Sequence, residues 1–506
     1  MPSTSLTCYR FGHYIELLKA EGLVADTCCE QDDPVIDFAT DDSRQVVAGT
    51  LFVCKGKAFK REYLLAAIDA GAVAYISEID YEVDLPHAVV SDIRRTLAVV
   101  ADAYFDHPSG KVKVCAFTGT KGKTTCSYYL RGLLAKEAEL IGCHRPAFNT
   151  GVEFDDGIES GASKLTTPES FVLQSRIAHA AEAGAPWLVM EASSQALKYE
   201  RTGKVDFEVG AFTNIGEDHI SPIEHPTLED YFASKLKIFS QSRYAVVNLD
   251  MDHVDRVLEC AARCERTVTF SLDNNDADVY VRALRHSDRG VVASVTTPRF
   301  ERDVVIPTPV KFNVSNALAA IACAEALGVS EEAIVHGFEG VFVPGRMELY
   351  PTESGKILGV VDFAHNGMSL ETLLRDLREN YPERELAVVF GATGGKGVDR
   401  RQTMGVAAGK YADRIVITED DPGPEDPQVI CDEIARNVAA QGNDNWKIVT
   451  DRAEAIATAV RETARPAVVI VTGKGNETRM LRKNGPEPCE MDGVMLKREL
   501  DAFEAR

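Results

Sequence analysis

No apolar run in this chain approaches the roughly 20 residues that a membrane-spanning helix needs, and no basic-then-apolar leader opens it. Basic charge is scarce: 55 Lys and Arg stand against 78 Asp and Glu, a formal net charge of −23. That balance argues against nucleic acid or anionic membrane as a partner, because both are bound through a basic surface. Paired cysteine motifs are missing as well. The twelve cysteines are scattered in apolar contexts such as Val114-Cys115-Ala116, with no Cys-x-x-Cys set. Cys260 and Cys264 lie one helical turn apart, and two thiols alone rarely make a structural metal site. These absences point to reduced cysteines in a soluble, cytoplasmic protein. Internal repeats and low-complexity segments are also lacking.

What is present is an ordinary globular composition, 45% hydrophobic and 26% charged, in a chain of 506 residues. That length exceeds one core and suggests about three domains. The first, residues 1–107, holds Asp41-Asp42-Ser43-Arg44, a strand-like run 49–54, a helix over 63–70 and a strand over 71–76. His107-Pro108-Ser109-Gly110 reads as a linker. The second domain, 108–341, starts with a glycine loop and carries apolar strands at 187–190 and 209–212. The third, 342–506, alternates strand-like runs (357–361, 386–390, 414–417, 447–449, 467–471) with amphipathic helical patterns such as 369–380 and 451–463. Such alternation implies right-handed crossovers and a parallel, Rossmann-like sheet. The expected fold class is therefore α/β in three domains, with a central mononucleotide-binding domain and a C-terminal Rossmann-like one.

The most informative stretch runs from Lys111 to Thr125. A short β-rich segment ends in Thr118-Gly119-Thr120-Lys121-Gly122, and Lys123, Thr124 and Thr125 then open a helical pattern. Glycines let backbone N–H groups approach phosphate oxygens, and the helix N-terminus adds partial positive charge. Lys123 is placed to bridge the outer phosphates and the Thr124 hydroxyl to hold Mg²⁺. The strict P-loop pattern asks for a glycine where Phe117 stands, so this is a shorter loop than that of ordinary GTPases and kinases. The residue types point to ATP.

In the third domain each strand-like run ends in polar residues: Asp362-Phe363-Ala364-His365, the glycine-rich 391–397, Glu419-Asp420-Asp421-Pro422-Gly423, and Gly473-Lys474-Gly475-Asn476-Glu477. Ligands bind at the carboxyl ends of strands in open parallel sheets, so a site is expected along that edge. In the central domain Glu191 and His219 also follow apolar strands. A carboxylate and an imidazole beside a triphosphate suit Mg²⁺, although each residue alone is as compatible with a turn or a structural role.

As a set these motifs resemble the Mur ligase family over nearly the whole chain. The resemblance is carried by Asp42-Ser43-Arg44, the loop 118–125, Thr166-Thr167-Pro168, Glu191-Ala192-Ser193-Ser194, Asp218-His219, Phe312–Asn316, Gly345-Arg346-Met347-Glu348 and Asp362–His365. Their order is similar to that of the branch adding the third residue, a diamino acid, to UDP-N-acetylmuramoyl-L-alanyl-D-glutamate. The phrases 119–125, 223–231 and 473–479 look like its lysine-adding form. The resemblance implies ATP-driven amide formation through an acyl phosphate, by a monomer.

It also implies roles for individual residues. Gly119, Thr120, Lys121, Gly122, Lys123, Thr124 and Thr125 would hold ATP phosphates, with Asn316, Arg346, Asp362 and His365 on the adenine and ribose side. Thr124 and Glu191 would bind a first Mg²⁺ and His219 a second. Lys235 would be carbamylated by CO₂ and join the second metal, with Lys237 as the competing position. Ser43 would help place the uridine, and Thr166, Thr167, Ser193 and Arg201 the muramoyl dipeptide, helix capping being the alternative for the hydroxyls. The incoming amino acid would meet Arg401, Asp421, Gly473 and Glu477. Diaminopimelate-adding members carry an arginine where Gly423 stands, which implies L-lysine or L-ornithine here.

Overall fold

In the computed structural model, described for residues 8–28, 33–56, 59–217, 220–221, 224–287, 290–395, 397 and 399–506, three sheets follow one another along the chain. The first orders its strands Val24–Cys28, His87–Val90, Ala72–Ser77, Thr50–Val53 and Phe38–Thr40. The last four run parallel, and the first is an antiparallel edge. Its main helix, Ile93–Tyr104, starts where the Asp92 carboxylate accepts the Arg94 and Arg95 N–H groups, two of the donors a helix start leaves open.

The central sheet contains seven adjacent parallel strands, ordered Val279–Ser287, Arg266–Ser271, Ser242–Asn248, Phe207–Phe212, Lys113–Thr118, Trp187–Glu191 and Ala147–Asn149. Lys113–Thr118, which feeds the glycine loop, is flanked on both sides. Its register sets Glu191 opposite Phe117 on one neighbour and Phe212 opposite Thr118 on the other. The loop thus opens between two strand ends whose next residues reach it.

The third sheet is parallel through Ile357–Asp362, Ala467–Thr472, Glu385–Phe390, Arg414–Ile417 and Trp446–Ile448. The alternation read from the sequence is present. Two elements were not anticipated: an antiparallel edge strand, Glu348–Pro351, and a hairpin of Arg479–Arg482 with Gly485–Pro488. Both are short and polar, with little periodicity to mark them. Helices cover both faces. Leu370, Leu374, Met404, Ile430 and Ile434 pack on one face, and Ile456, Val460, Leu496 and Leu500 on the other.

The chain packs as two compact units: residues 1–284, 292–305 and 315–339 in one, residues 285–291, 306–314 and 340–506 in the other. The segment 1–107 does not separate from the central sheet, because Phe171 of helix Ser170–Glu182 is buried in the first sheet's core beside Val99 and Ala103. Ten described cysteines are all free thiols. Among the described residues no helix is long and apolar enough to cross a membrane.

Candidate active site

Backbone geometry makes the loop from Thr118 to Lys123 a cradle. Gly119 and Gly122 take φ of +150° and +86°, and a Cβ on either would lie 2.0 Å from Thr213 Oγ1 or 2.2 Å from Asn316 Oδ1. Only glycine fits both the conformation and the space. The helix Lys123–Ile141 begins directly after the loop. Lys123 Nζ lies 2.9 Å from the Gly119 carbonyl oxygen. Thr125, two residues further on, is buried.

The neighbouring strand end fastens the loop. Lys121 N–H donates to Asn214 Oδ1 at 2.8 Å, and Asn214 Nδ2 and Thr213 Oγ1 donate back to the Lys121 carbonyl at 3.0 and 2.9 Å. Thr120 N–H reaches the Asn214 carbonyl at 3.0 Å, and Tyr231 OH reaches Thr120 Oγ1 at 3.3 Å. Asn214, Thr213 and Tyr231 were missed in the sequence. The available signal was a polar pair directly after the apolar strand Phe207–Phe212.

On the other side Glu191, 2% exposed, turns its carboxylate to the loop. Its Oε1 accepts from Thr124 Oγ1 at 2.9 Å and from Gly151 N–H at 2.9 Å. Its carbonyl accepts from Thr167 Oγ1 at 2.9 Å, and Thr167 Oγ1 in turn accepts the Ser193 N–H at 3.0 Å. Ser193 caps the helix Ser194–Lys198. Arg201 pairs with Glu169 at 2.9 Å and donates to the Thr167 carbonyl at 3.4 Å. Thr166 lies next to this chain of contacts, its carbonyl accepting from Asn149 Nδ2 at 3.4 Å. The residues expected for the phosphates and those expected for the dipeptide therefore form one contiguous network through Glu191.

The two candidate lysines separate. Lys235, on helix Leu228–Leu236, is 1% exposed, donates to the Gly119 carbonyl at 2.8 Å and sits 4.4 Å from the centre of the Tyr231 ring. Two ammonium groups, Lys123 and Lys235, thus share one carbonyl oxygen. Lys237 points outward to Glu200 at 2.7 Å. His219 lies outside the described residues. Asn316 faces the loop through Gly122 and accepts from Cys126 Sγ at 3.5 Å. Ser43 is half-buried in a short helical turn that Asp42 caps by accepting from Arg44 N–H.

In the second unit Asp362 ends its strand with Oδ2 accepting the Met347 N–H at 3.0 Å and Oδ1 the Ala364 N–H at 2.9 Å. Arg346 stacks 4.1 Å over Phe363, and His365 Nδ1 lies 2.8 Å from the Phe363 carbonyl. The sequence and fold agree with known proteins at this point. A Mur ligase middle-domain model matches residues 117–324 and a Mur ligase glutamate ligase-domain model residues 345–475. The UDP-N-acetylmuramoyl-L-alanyl-D-glutamate--L-lysine ligase of Streptococcus thermophilus is 38% identical over 87% of this chain and 88% of its own. Its Streptococcus pneumoniae serotype 2 counterpart is 36% identical over 96% and 98%. A solved UDP-N-acetylmuramoyl-L-alanyl-D-glutamate--2,6-diaminopimelate ligase superposes with a TM-score of 0.68 at 26% identity, covering 98% of this chain and 99% of that one.

The chain belongs to the Mur ligase family. As a Mur ligase it is an ATP-dependent enzyme. Its remaining candidate residues lie at the tips of the third sheet. Asp421 takes a left-handed φ of +44°, and its Oδ1 accepts from Lys474 Nζ at 2.9 Å and from Leu481 N–H at 2.7 Å. Lys474 also pairs with Glu477. Burial works against the charge of Lys474, but the two carboxylates outweigh it and hold its ammonium above the usual lysine range. Gly473 packs against the Asp420 carboxylate. Burial pushes Asp420 up to about 6, against the pull of Arg452 and Lys474.

Arg401 differs from expectation in its surroundings. Its side chain is 5% exposed, and its terminal nitrogens donate to Glu433 and Glu425 at 2.9 and 2.8 Å. It is held by its own unit's carboxylates, which the helical pattern around it did not announce.

Proposed function

We propose that this Mur ligase joins L-lysine to the D-glutamate of UDP-N-acetylmuramoyl-L-alanyl-D-glutamate, a step of peptidoglycan precursor synthesis, with ATP cleaved to ADP and phosphate in the cytoplasm. The glutamate side-chain carboxylate attacks the ATP γ-phosphorus and ADP leaves. The lysine α-amine then adds to the acyl phosphate, loses a proton and expels phosphate as the amide forms. Positive charge from Lys123 and the loop N–H groups stabilises oxygens that gain charge in both steps. Ser193, Thr166, Thr167 and Arg201 orient the dipeptide carboxylate, and Arg346, Asp362, His365 and Asn316 serve the nucleoside end of ATP.

The donor set of Thr124 hydroxyl and Glu191 carboxylate suits Mg²⁺, a hard cation that prefers oxygen ligands. His219 and carbamylated Lys235 are the residues assigned to a second ion. When bound, Mg²⁺ draws charge from the transferring phosphoryl group. The burial of Lys235 beside Lys123 supports its modification: CO₂ adds to the neutral amine, a proton leaves, and a second ammonium near one carbonyl becomes an anion.

The observation that carries the choice of lysine is the tip Asp420-Asp421-Pro422-Gly423. It offers a carboxylate and a glycine at 423 where an arginine would be needed for a second substrate carboxylate, and the neighbouring Lys474 ammonium is already held by Asp421 and Glu477. The names of the similar streptococcal ligases support the same choice. L-Ornithine, one methylene shorter, shares the required ammonium. The test is ADP release with the muramoyl dipeptide and each diamino acid in turn. L-Lysine should lead, L-ornithine lie near it, and meso-diaminopimelate fall about a hundredfold or more below. Equal use of diaminopimelate and lysine would overturn the assignment.

A further inference from the structure

Lys474 is 2% exposed on the turn after strand Ala467–Thr472, yet its ammonium is not spent on structure alone. It takes Asp421 through Oδ1 and Glu477 through Oε2. The second donor described at Asp421, the Leu481 N–H, also reaches Oδ1. Asp421 Oδ2 and Glu477 Oε1 therefore remain as acceptors on side chains that are 27% and 43% exposed. These two carboxylates and one ammonium sum to one negative charge, and the buried Asp420 carboxylate adds to the negative field at Lys474.

We propose that Lys474 is a specificity-determining positioning residue for the incoming amino acid. Its ammonium pins one oxygen of each carboxylate, and the other two oxygens form a two-point acceptor for one side-chain ammonium. The proposal rests on the reading of this edge as the amino-acid site and deepens it. One negative charge is matched by lysine or ornithine, left unmatched by a neutral side chain, and left unmatched by the zwitterionic distal centre of diaminopimelate. Without Lys474 the like charges of Asp421 and Glu477 repel, the more exposed Glu477 turns to water, and the paired acceptor is lost.

The test uses the full-length enzyme with ATP, the muramoyl dipeptide and either L-lysine or its neutral analogue L-norleucine. Lys474→Met should raise the KM for L-lysine about tenfold or more and cut the preference over norleucine by a similar factor. The KM values for ATP and dipeptide should stay within about twofold, a split that general damage to the fold does not produce. Lys474→Arg, whose guanidinium can also bridge two carboxylates, should recover most of the preference. An unchanged or lower lysine KM in Lys474→Met would overturn the role, as would a parallel rise for all three substrates. If the Met variant does not fold, loss of the preference in Lys474→Arg overturns it. Wild-type enzyme inactive with lysine would instead sink the functional reading beneath it.

Discussion

At the scale of single residues, the Gly119 carbonyl concentrates the consequences, since Lys123 and Lys235 both donate to it. Lys123 is the half-buried first residue of helix Lys123–Ile141, and its side chain contributes hydrogen bonds to the loop rather than apolar packing to the core. Lys123→Ala should retain the fold by circular dichroism and lose turnover by about three orders of magnitude, the scale of removing a charge that acts on the transition state. Near-normal activity in the folded variant would refute the phosphate assignment. Lys235→Ala should also lose most activity, and formate or acetate should restore part of it by supplying the missing anion. Mass spectrometry at neutral pH under bicarbonate should find the carbamate on Lys235 and not on Lys237.

At the scale of elements, the third sheet's edge depends on a buried pair that binds no expected ligand. Arg452, at the start of helix Arg452–Arg461, donates through Nε and Nη2 to both oxygens of Asp492 at 2.7 Å, and through Nη2 to the Thr472 carbonyl at 2.8 Å. The side chains are 5% and 0% exposed. Asp492 also accepts the Gly475 N–H, so one ion pair ties two helix starts to the turn that carries Lys474. Arg452→Met would leave Asp492 buried without its cation, at a cost of about 3–5 kcal/mol. Urea unfolding should show the midpoint falling with the slope unchanged. A shift within experimental error would show that water reaches the pair.

At the scale of the whole molecule, the residues assigned to the phosphates and dipeptide belong to one compact unit and those assigned to the third residue to the other. The second unit also carries Arg346, Asp362 and His365, assigned to the nucleoside end of ATP, so amino-acid choice should be separable from the phosphate chemistry. Gly423 has open space around its Cα but a left-handed φ of +60°, so a side chain there costs about 1 kcal/mol of strain. Gly423→Arg should lower stability by about that amount and narrow the lysine-to-diaminopimelate gap in kcat/KM by about tenfold. The KM for ATP should not move. A changed ATP KM with an unchanged gap would place position 423 outside the amino-acid pocket.

Much of this was legible in the chain alone, and for a local reason. The glycine loop, the strand before it and the helix after it lie within the stretch Lys113–Ile141, and backbone conformation and hydrophobic period are encoded at short range. The alternation of the third sheet was legible on the same ground. What needed the tertiary structure were pairings between distant segments. Glu191 meets Thr124 across 67 positions because their strands are neighbours. Lys235 and Lys237 differ by two positions, yet one is buried against Gly119 and the other faces Glu200. Asp421 and Glu477, assigned from the sequence to the incoming amino acid, share the ammonium of Lys474. The short hairpin Arg479–Arg482 with Gly485–Pro488 brings the Leu481 N–H to the same aspartate. Composition and motif name the charges in a site, but strand order and packing decide which of them neutralise one another and which remain for a substrate.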